Sequence, residues 1–172
     1  MAGNDTLDKD HNRDRVGLPC EAPNAICASA TGPIAAQSIN GPWENVDASA
    51  IYTSYGRSVV SVAAPGGQRF TNTRVWVPCL TTPSSTSPAA CRPPMCPTPS
   101  GGTCLVQGIG TSFSAAHTTG LAALLVQQQG HRNSARIRER ILQSADDLGQ
   151  PGTDPYYGRG RINVARALGL IQ

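Results

Sequence analysis

The sequence predicts one α/β domain, and three observations predict it. Short apolar and β-branched runs lie at 24–31 and 58–64, a long apolar segment suited to a helix spans 112–128, and an amphipathic segment follows from 134 to about 145. Glycine and proline punctuate the intervals between them. With 172 residues and 39% hydrophobic content, the chain is long enough to bury a core of its own.

The elements follow in order. From Gly3 to Arg15 the chain is polar and irregular, with Asp5, Asp8, Asp10 and Asp14 beside Lys9, Arg13 and Arg15. A solvated loop is the plain reading, and a structural calcium site is the sharper one, although the carboxylate spacing fits no EF-hand loop. Asn24 to Thr31 (NAICASAT), behind Pro23, reads as a buried strand of small residues, and Ser58 to Ala64 (SVVSVAA) as a second, stopped by Pro65, Gly66 and Gly67. Arg69 to Val77 suggests a further strand or a hairpin. Between Pro78 and Gly102 the composition turns to Pro, Ser, Thr and Cys, which suits a surface insertion pinned by local crosslinks and not a core element.

The helix over Ser112 to Gln128 ends at Gly130, a residue suited to a helix C-terminus. In the next, Ile137, Ile141, Leu142 and Ala145 share one face while Arg136, Glu139 and Arg140 take the other. Asp154 to Arg161 reads as a turn region, and Asn163 caps a last short helix through Leu168. Parallel strands joined by helices give the α/β class.

Charge and composition exclude several roles. The net charge of +3 is small, and the basic residues are scattered without a run or interleaved aromatics, which argues against nucleic acid as the main partner. The longest apolar stretch, Leu121 to Val126, is far too short to cross a bilayer, and Met1 opens no signal peptide, so the chain reads as soluble with any export signal elsewhere. The six cysteines (Cys20, Cys27, Cys79, Cys91, Cys96, Cys104) allow three disulfides, implying an oxidising compartment. Zinc competes with that reading but needs tighter spacings, and neither CxxC nor HxxxH occurs.

The chemistry-bearing stretch is GIGTSFSAAHTTGLAALL at 108–125, which sets Ser112 between a glycine turn and the start of the long helix. A serine hydroxyl becomes a nucleophile only when a base takes its proton and donors stabilise the oxyanion formed on a carbonyl. At a helix start, the Ser112 N–H lacks an intrahelical partner and lies at the positive end of the dipole, where a developing oxyanion is stabilised. A lone serine there is otherwise an ordinary helix cap. The α/β-hydrolase elbow GxSxG is not met, because position 114 is serine.

Several segments in order tip the balance, and together they resemble the subtilisin-like serine proteases, the subtilases. GTSFSAAHTTGLAALL looks like that family's nucleophile motif, with Ser112 in the nucleophile's place. AGND at 2–5 looks like its oxyanion segment, with Asn4 supplying the amide donor. PNAICASA at 23–30 and SYGRSVVSVAAPGG at 54–67 resemble strands of its core, and YYGRGRINVARAL at 156–168 resembles the close of its domain. One departure is Ala116, where the family usually has proline; its loss eases helix formation and leaves Ser112 undisturbed.

The resemblance implies the three-layer subtilisin-like fold with a mostly parallel sheet, here incomplete. Residues 1–172 would be the C-terminal portion of a catalytic domain, with a Cys- and Pro-rich insertion at about 78–104. It implies a serine endopeptidase acting on peptide or protein substrates, secreted or extracytoplasmic, with no cofactor for the chemistry. It also puts the loop Leu18 to Ala22 beside the pocket for the residue before the scissile bond, where a Cys20–Cys27 disulfide would rigidify the wall. In subtilisin-type enzymes the triad runs Asp, His, Ser, so the aspartate and histidine segments fall ahead of residue 1 and the upstream half of the domain becomes a required partner. None of the local histidines replaces the base: His117 is roughly 140° around the helix from Ser112, and His11 and His131 read as solvated. Loss of the histidine costs about 10⁶-fold in kcat in subtilisin, a magnitude borrowed from that enzyme, so the chain alone is expected to be almost inert. Two other readings stay open: a secreted, disulfide-pinned binding module, and a different hydrolase using a histidine within the chain.

Overall fold

A computed structural model describes residues 1–12, 14, 16–80, 102–130 and 132–171. In chain order these form β1 (Ala28–Thr31), β2 (Ala35–Ala36), β3 (Trp43–Glu44), β4 (Val62–Pro65), β5 (Val75–Leu80), β6 (Thr103–Gly108), α1 (Thr111–Gln129), α2 (Ser134–Gln143) and α3 (Val164–Ala167). The α/β class is as the sequence predicts.

β1 and β4 pair in parallel from Ala28 opposite Val62 to Thr31 opposite Pro65. All four residues of β1 are buried, which explains its small side chains: both faces of this two-stranded unit are covered. On one face α1 lies across both strands, and α2 packs on α1. Ala28, Val62, Ala64, Leu121, Leu125, Ile137, Ile141 and Ile162 form the core between them. On the other, Ser29 Oγ donates to Tyr156 O, and the same segment closes the outer edge of β4, where Ala63 N–H donates to Gly160 O at 2.9 Å.

Both strands are shorter than their apolar runs, and in each case a local contact takes the missing residues. Ala25 N–H turns back to Ala22 O at 3.1 Å, which delays β1. Before β4, the Asp10 carboxylate accepts from Arg57 N (2.7 Å), Ser58 N (3.0 Å) and Ser58 Oγ (2.6 Å), holding residues 57–59 in a turn. Asp8 accepts in turn from the backbone of Asp10 and His11. Among the described residues no three of His, Cys, Asp and Glu converge as a metal-binding group.

β5 and β6 form an antiparallel ribbon from Val75 opposite Gly108 to Leu80 opposite Thr103. Residues at both ends of the expected insertion, 78–80 and 103–104, therefore lie in strands. Pro78 fits because a two-stranded ribbon has an unpaired side, where a missing N–H costs nothing. Cys79 and Cys104 stand opposite each other and are each disulfide-bonded; residues 81–101, with Cys91 and Cys96, lie outside the described residues. Cys20 and Cys27 are joined in the expected disulfide, with Cα atoms 4.8 Å apart. β2 and β3 make a two-residue antiparallel pair with no periodic signature in the sequence.

The helix ends follow the sequence reading. Gly130 closes α1 in the left-handed conformation (φ 67°), its N–H reaching Val126 O. Asn133 and Asn163 cap α2 and α3 by accepting from Arg136 N and Arg166 N. An ionic knot ties this end together: Arg161 bridges Asp47 (2.6 Å) and Asp146 (2.5 Å), and Arg166 reaches Asp146 at 2.6 Å. Burial alone would raise the Asp146 carboxyl, but hydrogen bonds from Asn163 and Arg161 and the charges of both arginines outweigh it and hold the group below its ordinary value. No helix among the described residues is long and apolar enough to cross a membrane.

Candidate active site

The site is assembled where β6 gives way to α1. Buried positions along α1 run Thr111, Ser114, Thr118, Leu121 and Leu125, so one stripe is polar and small near the helix start and apolar beyond it. The small end allows close approach: Ser114 Oγ donates to Ala64 O at 2.9 Å, and a Cβ on Gly66 would fall 2.6 Å from both Ser114 Oγ and Ala30 Cβ. Gly110, with φ 147°, makes the turn into the helix that a side chain would strain.

No side chain from the helix itself caps α1. Asn4 does so from 107 residues away, its Oδ1 accepting from Thr111 N and from Thr111 Oγ1, both at 2.9 Å. Because Thr111 N–H can only donate, the carboxamide oxygen must face the helix, and Nδ2 is left on the opposite edge. A methyl group built on Gly110 would lie 3.1 Å from Ser112 Oγ and 3.5 Å from Asn4 Nδ2. Hydroxyl and amide thus border one small space at the positive end of a 19-residue helix. Ser112 is exposed.

The segment carrying Asn4 is laced in place by its backbone. Ala2 N donates to Ala28 O (2.9 Å), Ser54 N to Gly3 O (2.9 Å) and Thr6 N to Tyr52 O (3.1 Å), while Gly3 N donates to Thr111 Oγ1 at 3.2 Å. Tyr52, which the sequence reading did not single out, holds the other side. Its buried hydroxyl lies 2.7 Å from Gly66 O and 2.9 Å from Gly67 O, and accepts Gly110 N–H at 2.9 Å. Burial pushes its pKa up to about 12. Gln68, fully buried, braces the same loop by bonding Ser49 O and Ile51 N. A lone tyrosine or glutamine among small residues carries no periodic signal, so only Ser112 and Asn4 were readable in advance.

The two histidines among the described residues are engaged elsewhere. His117 Nδ1 lies 2.9 Å from Phe113 O and 3.0 Å from Pro65 O, so its ring is engaged by main-chain carbonyls. His11 is exposed and bonded to Asp8 Oδ2 at 2.9 Å, and His131 is outside the described residues.

The model of the subtilase family, Peptidase S8, matches residues 2–160. The chain belongs to the subtilase family. Subtilase relatives include the extracellular serine protease of Serratia marcescens, 41% identical over 59 residues, which is 34% of this chain and 6% of that protein. The thermophilic serine proteinase of Bacillus sp. strain AK1 is 46% identical over 59 residues, 34% of this chain and 14% of that protein. The crystal structure of a lanthipeptide protease superposes with a TM-score of 0.69 at 23% identity, covering 99% of this chain and 49% of that one. The fold is accordingly a partial subtilisin-like α/β fold, and the chain spans about half or less of the proteins it matches.

Proposed function

We propose that this subtilase chain carries the nucleophile and oxyanion half of a serine endopeptidase site. Ser112 Oγ attacks a peptide carbonyl, Asn4 Nδ2 and the Ser112 N–H hold the oxyanion, and water then releases the acyl-enzyme. The supporting observation is the shared space above Gly110, bordered by both Ser112 Oγ and Asn4 Nδ2. The base and its orienting carboxylate come from outside these residues, in the same or a separate chain, so these residues alone turn over almost no substrate. Secretion fits the Cys20–Cys27 disulfide and the extracellular relative from Serratia.

The test is labelling of the full-length protein with a fluorophosphonate. Ser112→Ala should abolish labelling, and Asn4→Ala should leave the protein folded while lowering kcat by about 10²- to 10³-fold. Undiminished labelling of Ser112→Ala, or full activity of Asn4→Ala, would overturn the assignment. A correctly folded protein that never labels at Ser112 would favour a binding module.

A further inference from the structure

Ser112 follows a glycine whose torsions no side chain restrains. Gly110 turns the chain into α1 at φ 147°, and without a Cβ its peptide plane is free to swing unless something holds its N–H. Any swing moves Ser112, two residues on. The N–H is held at 2.9 Å by the Tyr52 hydroxyl and at 3.0 Å by Gly66 O. The hydroxyl in turn shares its single proton between Gly66 O (2.7 Å) and Gly67 O (2.9 Å).

Tyr52 reaches the other half of the site through its backbone. Its carbonyl accepts Thr6 N–H at 3.1 Å, two residues beyond Asn4, and Ser54 N–H, two residues further along, reaches Gly3 O at 2.9 Å. The ring has little room to move: the residue is 2% exposed and clusters with Ala30, Ala50 and Ile109. One packed residue thus ties the turn before Ser112 to the segment that carries Asn4.

We infer that Tyr52 is a positioning residue of the proposed protease site, its hydroxyl fixing the Gly110 peptide, and through it Ser112, at the spacing from Asn4 that oxyanion binding requires. The inference rests on the reading of Ser112 as nucleophile. The test is turnover of a fluorogenic peptide amide by the full-length protein. Tyr52→Phe, folded by circular dichroism, should lower kcat by about 10- to 100-fold with KM within about twofold of the parent, because a displaced nucleophile loses contacts made only in the transition state. Ile141→Val, a change in the buried core of α2, should lower the urea midpoint and leave kcat unchanged. Glycolic acid in place of Gly110 turns the amide into an ester and removes the same bond from its donor side. It should lower kcat by itself, and combined with Tyr52→Phe the loss should be smaller than the product of the two. If Tyr52→Phe does not fold, the ester protein carries the test. Parent kcat in Tyr52→Phe or in the ester protein, a rise in KM with kcat unchanged, equal kcat losses in Ile141→Val and Tyr52→Phe, or multiplicative losses in the double variant would overturn the inference. Parent turnover in Ser112→Ala would instead overturn the reading of the site on which it rests.

Discussion

Tyr52 joins three backbone groups through a single hydroxyl. It reaches the carbonyls of Gly66 and Gly67, and it receives the N–H of Gly110, two residues before Ser112. The one O–H proton is shared between those two carbonyls; Gly66 O and Gly110 N–H keep each other at 3.0 Å, so Gly67 O is the buried group that loses most when the oxygen is removed. Tyr52→Phe should therefore cost about 1–3 kcal/mol of stability, read as a shift in the urea midpoint. The hydroxyl also makes a pH prediction. Its folded pKa of about 12 lies above the ordinary 10, so the folded state favours the neutral form. That contribution is complete below pH 10 and is lost as pH rises from about 10 to about 12. Urea titrations at pH 9 and pH 11 should show a smaller alkaline loss in Tyr52→Phe than in the parent; equal losses would mean that another group titrates.

Elements were legible in the sequence where periodicity and a cap agreed. α1, α2 and α3 begin or end at residues whose chemistry announces it: Gly130 with its positive φ, Asn133 and Asn163 with their side-chain acceptors. The strands were legible as apolar runs but not in extent, because Asp10 and Ala22, each well outside the ladder, claim the amides that would have lengthened them. In the candidate site, Ser112 and Asn4 are named by their motifs, whereas Tyr52, Thr111 and Gln68 make contacts between segments that no local pattern encodes. The stripe on α1 sharpens into a prediction. Leu125 is 0% exposed and its neighbour Leu124 is 49% exposed, although both lie in the same apolar word. Leu125→Ala should cost about 2–5 kcal/mol, and Leu124→Ala should stay within about 0.5 kcal/mol. Denaturant unfolding of the two variants checks this directly, and equal losses would mean that α1 is rotated relative to the core.

At the scale of the whole molecule, the question is whether these residues make a stable body by themselves. Their parallel sheet has only β1 and β4 among the described residues, and three or more strands or extensive packing are usual for independent stability. Apolar side chains face solvent on several sides: Leu18 is 75% exposed, Val16 68%, Leu105 65% and Leu170 73%. Scattered exposure of this kind is ordinary, but here it accompanies a small core and a ribbon, β5 with β6, whose outer edges pair with no other strand among the described residues. The lanthipeptide protease structure extends well beyond the part that this chain matches, 49% of its length. Expressed alone, residues 1–172 should be poorly soluble or molten, binding a hydrophobic dye and lacking a cooperative transition. Calorimetry decides it: a sharp, reversible unfolding peak for the isolated chain would mean that the α1 and α2 packing over β1 and β4 suffices, and that the exposed leucines need no partner.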